Sequence, residues 1–179
     1  MIILEGADNL GKSTAAKTLA DILADRMDQP CPVIPHGPPV NALGEYHRDT
    51  LAQFAVHDRG HLGWLVWQGL LGCDGQAFDG SKFNGLVSGL RRQRAMVVVL
   101  SAADDWYIER EMVSGRPEMY EAALRISANR IFRELRFLGT GRHHLVDIHH
   151  RGDQQGFPDI NHMTNWVNAW YVRQREALP

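Results

Sequence analysis

Only two cysteines, Cys31 and Cys73, occur among the 179 residues. They form no Cys-x-x-Cys pair and no Cys/His metal spacing, so the pattern of a disulfide framework or a zinc ribbon is absent and a reduced intracellular protein is expected. No apolar run approaches the length of a membrane span. The apolar start is four residues long with no basic stretch before it, so no secretion signal is read. The expectation is a cytoplasmic protein without membrane contact. Internal repeats, low-complexity tracts and linker-like stretches are also missing, which points to one domain over residues 1–179. An excess of positive charge is missing as well: 19 Lys/Arg against 21 Asp/Glu leave a formal net charge of −2. Such a balance does not advertise nucleic-acid binding.

The charge is unevenly spread. Residues 1–90 hold 6 Lys/Arg and 10 Asp/Glu, a net of −4; residues 91–179 hold 13 and 11, a net of +2. All 13 basic residues of the second part are arginine, the side chain suited to planar, bidentate contact with phosphate. Solvated helix surfaces explain arginines equally well.

Hydrophobic patterning predicts short strands over residues 1–5, 31–35, 55–59, 96–100 and 144–148. It predicts helices over 12–26, 41–54, 61–71, 82–94, 104–112, 118–138 and 163–175. The run HGPP at 36–39 must be loop, and GCDGQAFDG at 72–80 is turn-rich. MVVVL at 96–100 is apolar without alternation, as a strand covered on both faces should be. Strands alternating with helices imply an α/β sandwich built on a parallel sheet.

The residues with the clearest chemistry lie between the first strand and the first helix. Gly6-Ala7-Asp8-Asn9-Leu10-Gly11-Lys12-Ser13 fits G-x-x-x-x-G-K-[ST], and Thr14 follows. Such a loop wraps backbone N–H groups around phosphates, its Lys reaches the β/γ oxygens, and its Ser hydroxyl binds Mg²⁺. ATP and Mg²⁺ are therefore the expected cofactors, held by residues 6–14. No guanine-reading Asn-Lys-x-Asp motif is present, and the size is small for a motor ATPase. Further on, Asp58-Arg59 follows a short apolar stretch. An Asp at the end of a neighbouring strand can support the Mg²⁺, and an Arg beside it can hold the acceptor. An exposed ion pair is the alternative. Arg110 and Arg116 flank a predicted lid loop near 110–118, where an Arg stabilises charge on a transferring phosphoryl group and helps exclude water. Both are otherwise helix-surface charges.

EGADNLGKST resembles the phosphate loop of the thymidylate kinase family, EGxDGxGKST, with Glu5 and Asp8 in matching places. DRGHLGWLVWQG resembles the same family's DR(Y/H)-x-x-S-x-x-A-Y-Q stretch, and RPEMYEAALRISANRIF its lid exit. The resemblance spans roughly residues 1–135. It implies a P-loop NTPase-type three-layer sandwich with a central sheet of about five parallel strands, pairing of two copies, and ATP-dependent transfer to a thymidine-like acceptor. The family's Arg-Pro-Gly after the second strand, whose Arg grips the acceptor's 5′-phosphate, is replaced by IPHGPPVNALGE, with His36 near the Arg position. A neutral imidazole is a poor substitute for a permanent cation. The GADNLGKST loop is similar to the GxDNxGKST-like loop of a phage branch that includes the 5-hydroxymethyldeoxyuridine DNA kinases, which phosphorylate a base hydroxyl within the polymer and need no such clamp. The expected activity is therefore phosphorylation of 5-hydroxymethyluracil in phage DNA, in the host cytoplasm, with Asp8 orienting or deprotonating the hydroxyl. The alternatives are a deoxynucleoside monophosphate kinase making dTDP from dTMP, and a nucleotide-binding regulatory module without catalysis.

Trp64, Trp67 and Trp106 are candidates for stacking a flipped or unpaired base, or else for core packing. The basic run Arg91-Arg92-Gln93-Arg94 is either a nucleic-acid phosphate contact or the positively charged C-terminal end of a helix. The pairs His143-His144 and His149-His150 invite a metal reading but lack supporting Cys or carboxylate spacing.

Overall fold

The computed structural model describes residues 1–36, 54–71, 80–114, 122–135 and 145–176. Five strands form one parallel sheet: β1 (Ile2–Gly6), β2 (Val33–Pro35), β3 (Val56–Asp58), β4 (Met96–Ser101) and β5 (Ile148–Arg151). Their order across the sheet is β2-β3-β1-β4-β5. Ile2 is registered with Val56 on one side and Met96 on the other. Every residue of β1 and β4 is buried, because helices cover both faces.

On one face α1 (Lys12–Met27) lies over β1, β2 and β3 and meets α7 (Ile160–Arg175). On the other, α2 (His61–Leu71), α4 (Asp104–Ser114) and α5 (Ala122–Leu135) pack together, with α5 across β1 and β4. α3 (Gly80–Arg92) turns Phe83, Leu86, Val87 and Leu90 into the same core. A short α6 (Gly152–Gln155) leads out of β5. The result is an α/β three-layer sandwich, as the alternation of elements requires. None of the described helices is long and apolar enough to cross a membrane.

Two polar devices hold the layers in register. Asn129 of α5 is fully buried and satisfies both backbone groups of Ala102, accepting from its N–H (3.0 Å) and donating to its carbonyl (2.9 Å). At the opposite end of the sheet, Asp147 accepts from the Val97 N–H (2.8 Å) and pairs with Arg173 of α7 (2.6 Å). Arg94 donates to the Arg173 carbonyl (2.7 Å). α7 itself starts from a capping box, in which Asp159 accepts from the Asn161 and His162 amides.

The last strand differs from the expected 144–148. Backbone pairing begins where the Asp147 N–H meets the Val97 carbonyl (2.9 Å), and the strand runs on through His149 and His150. An edge strand is covered less completely than a central one, so it tolerates histidines, whereas Leu145 and Val146 remain in the approach to it. α7 starts three residues earlier than its apolar spacing suggests because Asp159 caps it. The helix expected over 41–54 lies outside the described residues except for Phe54, as do most of the 72–80 turn and residues 115–118 of the lid loop.

Candidate active site

From β1 the chain goes out to β2 at one edge of the sheet, returns to β3 beside β1, and then crosses to β4 and β5 on the other side. Ligands of open α/β sheets bind where strand order reverses, outside the C-terminal ends of the strands. The loop at residues 6–13 lies there, at the end of β1. Gly6 has φ 135°, and a Cβ at this position would lie 2.3 Å from the Leu100 carbonyl oxygen of β4, so only glycine lets the loop leave the sheet here. Gly11 (φ 78°) turns the chain into α1.

Within the loop, buried Lys12 donates to the Ala7 carbonyl and lies 3.7 Å from Asp8. Burial pushes the Lys12 ammonium below its usual range, and Asp8 opposes that shift. Arg59, at the end of β3, donates to Asp8 at 2.7 Å. Ser13 donates to Asp58 at 2.5 Å. The other Asp58 oxygen is buried and has no hydrogen-bond partner. A hydroxyl and a carboxylate with an unused oxygen form a hard oxygen donor set, suited to Mg²⁺ directly or through its waters. The fold thus brings together Asp8, Lys12, Ser13, Asp58 and Arg59, which are up to 51 residues apart in sequence.

α4 grips the centre of the loop. Tyr107 donates to the Asp8 carbonyl (2.8 Å), and Arg110 donates to the Asn9 carbonyl (2.8 Å). Asn9, held at φ 60°, donates its side-chain amide to Glu111 (2.6 Å). Glu111 in turn pairs with the buried Arg125 of α5. The Arg110 guanidinium lies 4.0 Å over the Phe157 ring and 5.5 Å from that of Trp106. Phe157 also borders Gly11. Arg110, expected beside the lid loop, here reaches the phosphate-loop backbone and has two aromatic neighbours. Arg116 lies outside the described residues. Tyr107, Glu111, Arg125 and Phe157 were missed by motif reading, because helix periodicity does not tell which polar side chain faces a loop.

Behind the loop, Glu5 is fully buried and accepts from the Leu62 (2.8 Å) and Gly63 (3.0 Å) amides at the start of α2. Burial raises its carboxyl to about 7, against the backbone N–H groups and Lys12, which lower it. On the far side of β3, His36 and the fully buried His57 share a hydrogen bond of 2.9 Å. Burial, and then His36, pushes His57 down to about 3, so it is neutral at ordinary pH.

Among the tryptophans, Trp67 is buried in the core, which accounts for it by packing, and Trp64 is partly buried against that core. Trp106 packs on Phe157, with ring centroids 5.5 Å apart. Arg91 and Arg92 end α3, and Arg94 fastens α7, which accounts for that run structurally. His149 bonds Ser101 (2.9 Å) and His150 donates to the Gly156 carbonyl (2.8 Å). Among the described residues no group of three or more His, Cys, Asp or Glu could hold a metal ion. Cys73 and His143-His144 lie outside them.

No protein-family model matches the chain, and no curated protein matches it. Solved structures do. The YorR protein of Bacillus subtilis, in complex with phosphorylated GDP, is similar over 99% of both chains, with a TM-score of 0.72 and 18% identity. Deoxyadenosine kinase from M. mycoides with bound dCTP matches over 99% of this chain and 100% of its own, with a TM-score of 0.49 and 13% identity. The likeness to YorR over whole chains shows that the five-stranded sandwich is an established α/β fold.

Proposed function

We propose that the chain is an ATP- and Mg²⁺-dependent P-loop kinase acting on a thymine-like acceptor. The carrying observation is that Lys12, the Ser13–Asp58 pair and the Asp8–Arg59 pair converge at the ends of β1 and β3. In this reading the loop amides and Lys12 bind the ATP phosphates, and the phosphates take over the Lys12 contact to Ala7. Ser13 and Asp58 hold the Mg²⁺, which supplies charge neutralisation on the β- and γ-phosphates when bound. Asp8 orients the acceptor hydroxyl and takes its proton as the hydroxyl oxygen bonds the γ-phosphorus and ADP leaves. Arg59 aligns Asp8 and the acceptor. Arg110 or Arg116 stabilises the transferring phosphoryl. The Trp106–Phe157 pair offers flat rings beside Arg110 for a nucleotide base. The phosphorylated GDP in the YorR complex supports a nucleotide as ligand of this fold.

For the acceptor we favour the hydroxymethyl group of 5-hydroxymethyluracil within DNA. His36, where the thymidylate kinases carry their phosphate-gripping Arg, bonds a neutral buried histidine instead of supplying a fixed cation. The alternatives remain dTMP as acceptor, and a nucleotide-binding module. One assay separates them: transfer from γ-labelled ATP to dTMP and, side by side, to duplex DNA carrying 5-hydroxymethyluracil. Label in the polymer alone supports the DNA-modifying reading, and label in dTDP alone replaces it. Tight ATP binding with no transfer to either supports the module. Lys12→Ala is expected to abolish transfer with an unchanged circular dichroism spectrum; full activity in that variant would falsify the P-loop assignment.

A further inference from the structure

Two successive residues of β1 hold the turn that carries Arg59. The Leu4 carbonyl accepts from the Arg59 N–H (2.9 Å), and the next residue, Glu5, accepts from Leu62 (2.8 Å) and Gly63 (3.0 Å). At the first of these anchors Arg59 adopts φ 79°, a left-handed conformation that a non-glycine residue keeps only when its surroundings impose it. Gly63 completes the fit, since a Cβ there would lie 3.1 Å from Glu5 Oε2. No role in phosphoryl transfer described above uses this carboxylate, although it is buried directly behind the loop.

We infer that Glu5, matched to Gly63, is a positioning residue that fixes the 59–63 turn and so aims Arg59 at Asp8 and the acceptor. The inference rests on the kinase reading for its catalytic consequence. Its structural half stands on the tether alone. Around Glu5 the charged or titratable neighbours are Lys12 from the phosphate loop and His61 from α2, whose Nδ1 lies 3.9 Å away. His61 is kept neutral by burial. The carboxylate is therefore held chiefly by backbone amides and responds to its own protonation.

The test combines a structural and a kinetic readout. In the unliganded wild-type protein, the Leu62 and Gly63 amide resonances are followed by NMR from pH 5 to pH 9. They are expected to titrate together, and Glu5→Gln should abolish the titration. In transfer assays, Glu5→Gln and Gly63→Ala should each lower kcat about ten-fold or more, as displaced positioning groups do. KM for ATP should stay within about two-fold, and the double variant should lose little more than either single one. Amides that ignore Glu5, or losses that multiply in the double variant, would overturn the inference. A wild-type protein that transfers phosphate to nothing would instead overturn the kinase reading, and with it the catalytic half, while the amide titration still decides the tether.

Discussion

Glu5 and His57 pull the pH dependence of stability in opposite directions. Glu5 rises from 4.5 to about 7 on folding, so the folded state prefers its protonated form. Its ionisation costs stability progressively from about pH 4.5 to pH 7, in total about 3 kcal/mol at about 1.4 kcal/mol per unit. His57 falls from 6.5 to about 3, so the folded state prefers it neutral and stability is lost as pH falls below 6.5. The two slopes overlap and partly cancel in the intact protein. Glu5→Gln exposes them: the variant should gain stability relative to wild type as pH rises from 5 to 8, read from urea midpoints. Parallel curves would show that no charge is buried at this position. At this scale the Gly-Lys-Ser motif and Asp58-Arg59 were legible from side-chain type and spacing. The partner of Glu5 was not, because the Leu62 and Gly63 amides that bind it carry no side-chain signature.

The α4–α5 pair shows what an element contributes. Tyr107, Arg110 and Glu111 occupy one side of α4 and reach Asp8 and Asn9, and Arg125 of α5 neutralises Glu111. Arg125→Ala leaves that carboxylate buried without its cation, and removing one partner of a buried pair costs about 3–5 kcal/mol. A lower urea midpoint and weaker ATP binding are expected together, since Asn9 hangs on the same carboxylate; an unchanged midpoint would show that water screens the pair. Helix spans were readable because burying one face imposes a period of 3.6 residues. The β5 boundary was not, since edge-strand pairing depends on the neighbouring strand's backbone and not on apolar content. Nor could the periodicity of 104–112 say that its polar side faces a loop about 100 residues away in sequence.

Over the whole molecule, the site and the α7 clasp occupy opposite ends of the sheet. Asp147 ties Val97 of β4 to Arg173 of α7, and Arg94 closes the same clasp. Asp147→Ala leaves the Val97 amide without its acceptor and Arg173 without its carboxylate, a loss of about 1–3 kcal/mol. Hydrogen exchange should quicken at Val97 and in the last turn of α7, with the Leu62 and Gly63 amides unchanged. Faster exchange at both ends would mean that the sheet transmits the loss. The amino-acid order by itself determined the alternation of strands and helices and the glycine-turned loop between β1 and α1, because periodicity and glycine placement are local properties of the chain. Only the tertiary structure decided that Asp58 meets Ser13, that Arg59 meets Asp8, that α4 holds the loop, and that Trp67 is core. Those contacts depend on strand order and register, which arise when distant segments share one buried sheet.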